Sequence, residues 1–280
     1  MRGGANISEA LRRVWARPWL LVALALTNIG LSYLLTAPLS AMLASLLDKR
    51  PAAAQMAAGD DGLWFEFLRN HIEVSVAATM ALGAGVVVYS VLSWILDGGV
   101  LAALALDGER RARGGAAVLA ESASRARRMI VIGLFGLVLR VLPALFGGLG
   151  YAVARVAIKG RTFQPNVEIS MIALVFAALA WTAVSIAIDY ARGLSLDDRQ
   201  TRSWRLVARG VRLVFARGSA TLQLIAFTLA AWLALALVYW LIASHLSAMP
   251  LVSLVRLLAV FARVAITLTT LTAAARIAKS

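Results

Sequence analysis

Six apolar runs long enough to cross a hydrocarbon layer follow one another along this chain, at 19–47, 72–96, 129–158, 167–188, 220–244 and 251–275. A helix needs about 20 apolar residues to cross a ~30 Å bilayer core. No water is available there to pair exposed backbone groups, so a spanning segment closes its own hydrogen bonds as a helix. The pattern predicts an all-α polytopic membrane protein with about six transmembrane helices, in a single membrane domain over 1–280. The chain is 61% hydrophobic, with mean hydropathy +0.82. A soluble domain is about 45–50% apolar, so much of this excess has to face lipid. Arg12, Arg13 and Arg17 precede the first run, as they would in a secretory signal. The run is too long for a cleaved signal core, and five more follow it, so it reads as a retained helix.

Three runs carry breakers. Pro38 should bend the first or end its lipid-exposed part. Read as one helix, 72–106 would be about 52 Å long, far more than the hydrocarbon thickness. Asp97-Gly98-Gly99 therefore breaks that helix or marks where it leaves the membrane. Arg140, Pro143 and Gly147-Gly148 interrupt the third run.

Cations orient the spans. Assigned to alternate sides, 19 Lys and Arg fall with both termini and the connections at 110–128 and 192–217. Only six fall opposite: Lys49, Arg50, Arg69, Arg155, Lys159 and Arg161. This places both termini in the cytoplasm. The Ala- and Arg-rich composition points to a bacterial source, so the expected location is the bacterial inner membrane. The net charge of +14 then belongs to headgroup contacts with anionic lipids. No soluble basic domain or aromatic platform argues for nucleic acid. There is no cysteine, which excludes disulfides and thiolate chemistry.

The connections have a pattern of their own. Arg202, Arg205, Arg209 and Arg212 recur at helical spacing on one face, with Leu206, Val207, Val211 and Val214 away from them. Such a helix should lie in the membrane interface. The spacing predicts interfacial helices at 6–17, 118–128 and 201–217. Asn6 and Glu9 resemble a capping box at the start of the first. Asp97 and Asp189 mark the exits of the second and fourth runs, and should bind interfacial arginines, fixing each helix to its hairpin. The reading is three modules, each an interfacial helix followed by a two-helix hairpin, a construction common in transport folds.

DGGVLAALALDGE after the second run, DYARGLSLDD after the fourth and the basic helix entering the fifth resemble a group of bacterial six-helix membrane proteins. That group includes the membrane domain attached to some glycerophosphodiester phosphodiesterases. The catalytic domain of those enzymes has no counterpart here, so the resemblance implies a membrane role and not their activity. In topology the chain is also similar to the permease half of some ABC exporters, which would imply an ATPase or membrane partner subunit.

Candidate chemistry is sparse. Arg140 lies about eleven residues, roughly 16 Å, into the third run, and Arg263 a similar distance into the sixth. A charge at that depth costs at least ~2.5–3.5 kcal/mol and must face protein, water or a partner. No carboxylate is expected at their depth. They are therefore candidates to meet an anionic ligand or lipid phosphate, against the alternative of helix carbonyls, Thr182, Thr267 or trapped water. Arg256 lies nearer the outer surface and should snorkel. His71 and His245, with Asp60, Asp61 or Glu66, are too scattered to argue for a metal. Asp197-Asp198 reads as a loop or cap pair. HExxH, GxSxG and Walker motifs are absent, so no catalytic residue, cofactor or metal is assigned. Trp15, Trp19, Trp64 and Trp204 read as interfacial anchors, and Gly133 with Gly136 as a packing site. The expectation is a non-enzymatic, transport-related membrane domain handling lipid or a small anion. The alternative is a structural or assembly subunit of an envelope complex.

Overall fold

The computed structural model describes residues 2–47, 69–70, 72–106, 114–157, 163–198, 200–245 and 249–279. They form eight long helices: α1 (Arg2–Trp15), α2 (Pro18–Leu47), α3 (Ile72–Leu104), α4 (Gly115–Ala157), α5 (Phe163–Leu194), α6 (Ser203–Ala216), α7 (Gly218–His245) and α8 (Met249–Lys279). No strand occurs among the described residues. Five helices are long and apolar enough to cross a membrane, over Pro18–Met42, Ser75–Leu104, Ala173–Leu194, Gly218–Ile242 and Ser253–Lys279. The third expected span, 129–158, lies in its second half outside the residues whose side chains are described.

Several breakers do not break. α2 runs through Pro38, and α4 through Arg140, Pro143 and Gly147-Gly148. α3 continues through Gly98-Gly99 to Leu104. The glycines serve contact instead: a Cβ on Gly99 would lie 2.0 Å from the Val118 carbonyl oxygen and 2.3 Å from Ser122 Oγ. A Cβ on Gly133 would lie 2.2 Å from the Trp94 ring, and one on Gly136 3.1 Å from Ile188. The interfacial helix expected at 118–128 is not separate either. It is the first part of α4, because Ala, Ser, Arg and Met between Gly115 and Gly133 offer no residue that stops a helix. α1 begins at Arg2, four residues before Asn6, so Asn6 and Glu9 form no capping box. Glu9 instead pairs with Arg12 at 2.6 Å and Arg13 at 2.9 Å, and the Arg13 bond holds its carboxyl below the usual range.

Two compact units divide the chain. One is Ala23–Ser93, the greater part of α2 and α3. Within it, Thr27, Thr36 and Thr79 return their hydroxyls to carbonyls one turn back, which removes free polar groups from apolar helices. The other unit is Met1–Val22 with Trp94–Ser280. Its core gathers where helix ends converge: Ala10, Ile186, Tyr190, Leu224, Ala273, Ala274 and Ile277 in one cluster, Ile132, Ile188, Ala191, Leu206 and Val207 in another. Away from these ends large apolar side chains lie open, among them Val138, Phe176, Leu233 and Leu237. Large apolar side chains on the outside suit a hydrocarbon solvent, and the glycine and alanine contacts between helices allow the close backbone approach that packs helices there.

Candidate functional site

Charge inside the larger unit is concentrated on α3, α4 and α5. Arg192 Nη1 lies 3.1 Å from Asp97 Oδ2 and 3.1 Å from Asp189 Oδ1. Arg192 is buried and the two aspartates are largely so, at 8%, 17% and 14% side-chain exposure. The two exit aspartates are therefore brought together, but not by the arginines expected of them. Their partner is one turn along α5 from Asp189, while Arg202, Arg205, Arg209 and Arg212 lie exposed on α6. Of those four, Arg209 reaches Asp198 at 3.3 Å and Arg205 lies over its neighbour Trp204.

Arg140 completes the group. It is half-buried, and Asp189 and Asp97 both act on it electrostatically. It forms no ion pair with either, its Nε is buried without a hydrogen-bond partner, and its guanidinium lies over Trp181 at 5.5 Å from the ring centroid. Arg263 on α8 lies over Trp232 of α7 at 5.9 Å. It is exposed and has no carboxylate partner among the described residues. A tryptophan face is a favourable cushion for a cation, worth up to ~2 kcal/mol when desolvated. It leaves the guanidinium's planar fork of N–H donors for an oxyanion such as carboxylate or phosphate.

Other arginines close helix ends. Arg13 donates to the Leu104 carbonyl at 3.2 Å, at the end of α3. Arg125 donates to the Leu196 carbonyl at 3.2 Å, just past α5, and Arg217 to the Ile277 carbonyl near the end of α8. Each supplies a cation where unpaired carbonyls gather negative potential. Arg128 donates to the Asp198 and Thr201 carbonyls, tying α4 to the turn before α6. Within that turn Asp198 accepts from the hydroxyl and the backbone N–H of Thr201 and from the N–H of Gln200.

These bonds, the Thr201 hydroxyl first, hold the Asp198 carboxyl below the usual carboxylate range. A lowered folded-state value adds stability above the unfolded-state value and loses it as pH falls through the folded one. Amide exchange at Gln200 and Thr201, corrected for its intrinsic pH dependence, should therefore gain protection above the usual carboxylate range. The protection should fade at more acid pH, while the ends of α5 are unaffected.

Comparison of the chain with family models, with curated proteins and with solved structures gives no match. The site thus rests on its own chemistry. His71, Asp60, Asp61, Glu66 and Trp64, and the side chain of His245, lie outside the described residues. Trp15, Trp19 and Trp204 are exposed, and Asp197 pairs with Lys279 at 2.9 Å. Sequence reasoning missed Arg192 by grouping it with the cations of the following loop. Its position three residues after Asp189, one turn along the same helix, was the available signal.

Proposed function

We propose that this chain is a six-span, three-module domain of a bacterial inner membrane, non-enzymatic, with cytoplasmic termini, that handles an anionic lipid or small anion in transport. The observation that carries the reading is the pair of mid-helix arginines, each resting on a tryptophan and neither neutralised by an ion pair. Cations at membrane depth are costly and mark ligand or ion paths. The 19-to-6 distribution of cations supports the orientation.

The modular reading is supported by register. Arg13 and Arg125 each bind a glutamate four residues back through Nε, at 2.9 and 2.8 Å, and an exit carbonyl through Nη1. Arg217 repeats the carbonyl bond in the third module, with leucine where the glutamate would stand. Asp97, Asp189 and Thr270 each stand seven residues before the capped residue. The order of packing also closes on itself. The start of α4 lies on Gly99 of α3, and α6 lies on α5 through Gly210 against Ala187. α1 packs on α8 through Ala10, Ala273 and Ala274.

Two measurements test this. Reporter fusions at positions 55 and 115 should report opposite compartments; the same compartment overturns the orientation. Protein purified in mild detergent should retain anionic lipid detectable by mass spectrometry. The Arg140→Ala/Arg263→Ala variant should lose it, by about tenfold or more, the scale of one or two charge-assisted contacts. Retention of the lipid by that variant overturns the reading. A constant protein partner with no lipid, the behaviour of an assembly subunit or an ABC-type permease, overturns it too.

A further inference from the structure

Asn28, Arg140 and Trp232 each stand fifteen residues after the arginine that caps its module's exit helix, namely Arg13, Arg125 and Arg217. Across each hairpin these positions meet one partner. The Tyr89 hydroxyl donates to Asn28 Oδ1, Trp181 lies under Arg140, and Arg263 lies over Trp232. The partners keep register as well: Tyr89 and Trp181 precede the capped residues Leu104 and Leu196 by fifteen, and Arg263 precedes Ile277 by fourteen. One residue of offset on a helix is 1.5 Å of rise and about 100° of rotation, within reach of a long arginine side chain. Every hairpin thus carries one polar side chain paired with one aromatic residue at matching positions in its sequence, with the two exchanged between helices in the third.

We infer that Arg140–Trp181 and Arg263–Trp232 are two copies of one binding site, and that its ligand is the phosphate-bearing headgroup of an anionic phospholipid entering from the hydrocarbon. The inference rests on the anion-handling reading above and names its ligand. The route of entry decides the class. Leu137, Val138 and Val141 near Arg140 are exposed, as is Leu233 next to Trp232, and Arg263 itself is exposed. A site opening through such a surface is closed to a free hydrated anion and open to an anion attached to acyl chains. Arg256, exposed and two turns from Arg263 on the same face of α8, stands about 10 Å nearer the Met249 end. There it offers the headgroup an intermediate cation. The Asn28–Tyr89 pair is the uncharged copy: its two polar groups satisfy each other, and it binds no anion.

The test exploits the exchange. The protein in nanodiscs of phosphatidylcholine containing a minority of phosphatidylglycerol is released into native mass spectrometry, and tightly held phosphatidylglycerol is counted. Arg140→Gln and Arg263→Gln, which remove charge at nearly constant size, should each lose about half of it, each arginine carrying about tenfold in affinity. Arg263→Trp should do the same, and the double variant Trp232→Arg/Arg263→Trp, which gives the third module the arrangement of the second, should restore it. If the exchange restores nothing while the single variants lose lipid, the equivalence of the two sites falls and anion handling stands. If neither Gln variant loses lipid, anion handling falls as well. If millimolar inorganic phosphate strips the phosphatidylglycerol, the ligand is a water-borne phosphate and the lipid assignment is overturned.

Discussion

Replacing Arg192 with leucine should destabilise this protein more than any other single side-chain change. One Nη1 stands between two buried carboxylates on different helices. Without it Asp97 and Asp189 are left as two largely buried like charges that have lost the cation between them. Breaking a buried ion pair from one side costs about 3–5 kcal/mol, because the remaining charge is left uncompensated. For a chain of this length that lowers Tm by roughly 10 °C, read by tryptophan fluorescence of the detergent-solubilised protein. The control is Asp97→Asn/Asp189→Asn/Arg192→Gln, which removes the bridge together with both carboxylates. It should melt closer to the parent than the leucine variant, since no carboxylate is left without its partner. Arg209→Ala, which removes a half-exposed pair with Asp198, should cost less than about 1 kcal/mol. An Arg192 variant as stable as the parent would mean that the carboxylates are held by something other than this bridge.

How far the sequence foretold this arrangement depended on the kind of signal. Helical class followed from hydropathy and length, because lipid leaves the backbone no alternative. The polar and apolar faces of 203–216 followed from spacing: Leu206 and Val207 are buried and the four arginines exposed, as an amphipathic period dictates. Breaker residues misled, because proline and glycine are strong punctuation in water and weaker in a membrane, where neighbouring helices resatisfy what they disturb. Gly98-Gly99 read as a break or as the point where the helix leaves the membrane; the helix runs on, and the pair is a surface for α4. That distinction is tertiary, and no local pattern contains it. Arg192 was hidden for a related reason. A cation just past an apolar run reads as an orienting charge, and only the approach of α3 to α5 turns it into a bridge. Arg140 and Arg263 were legible as depth anomalies, whereas the tryptophans beneath them, on partner helices 41 and 31 residues away in sequence, were not.

Gly99→Val should be the second most damaging change, for a reason opposite in kind to that of Arg192. Nothing electrostatic is lost; volume is added where two backbones touch. The first added carbon would lie 2.0 Å from the Val118 carbonyl oxygen and 2.3 Å from Ser122 Oγ. Ser122 can rotate away, but the carbonyl is fixed by the helix that carries it, so α4 has to withdraw. Overpacking of this sort costs about 1–3 kcal/mol. Valine's preference over glycine within a helix returns only a few tenths of that. The helix that withdraws carries Arg125, whose Cβ sits 3.1 Å from where a Gly98 Cβ would lie and whose guanidinium caps the end of α5. Lost packing should therefore be accompanied by faster amide exchange around Leu196, a coupling that a purely local clash would not produce. Gly83→Val is the matching control: no atom lies within 4 Å of its added carbon, so helix preference alone acts and Tm should hold or rise slightly. Equal melting of the two variants would show that α3 and α4 do not meet at Gly99.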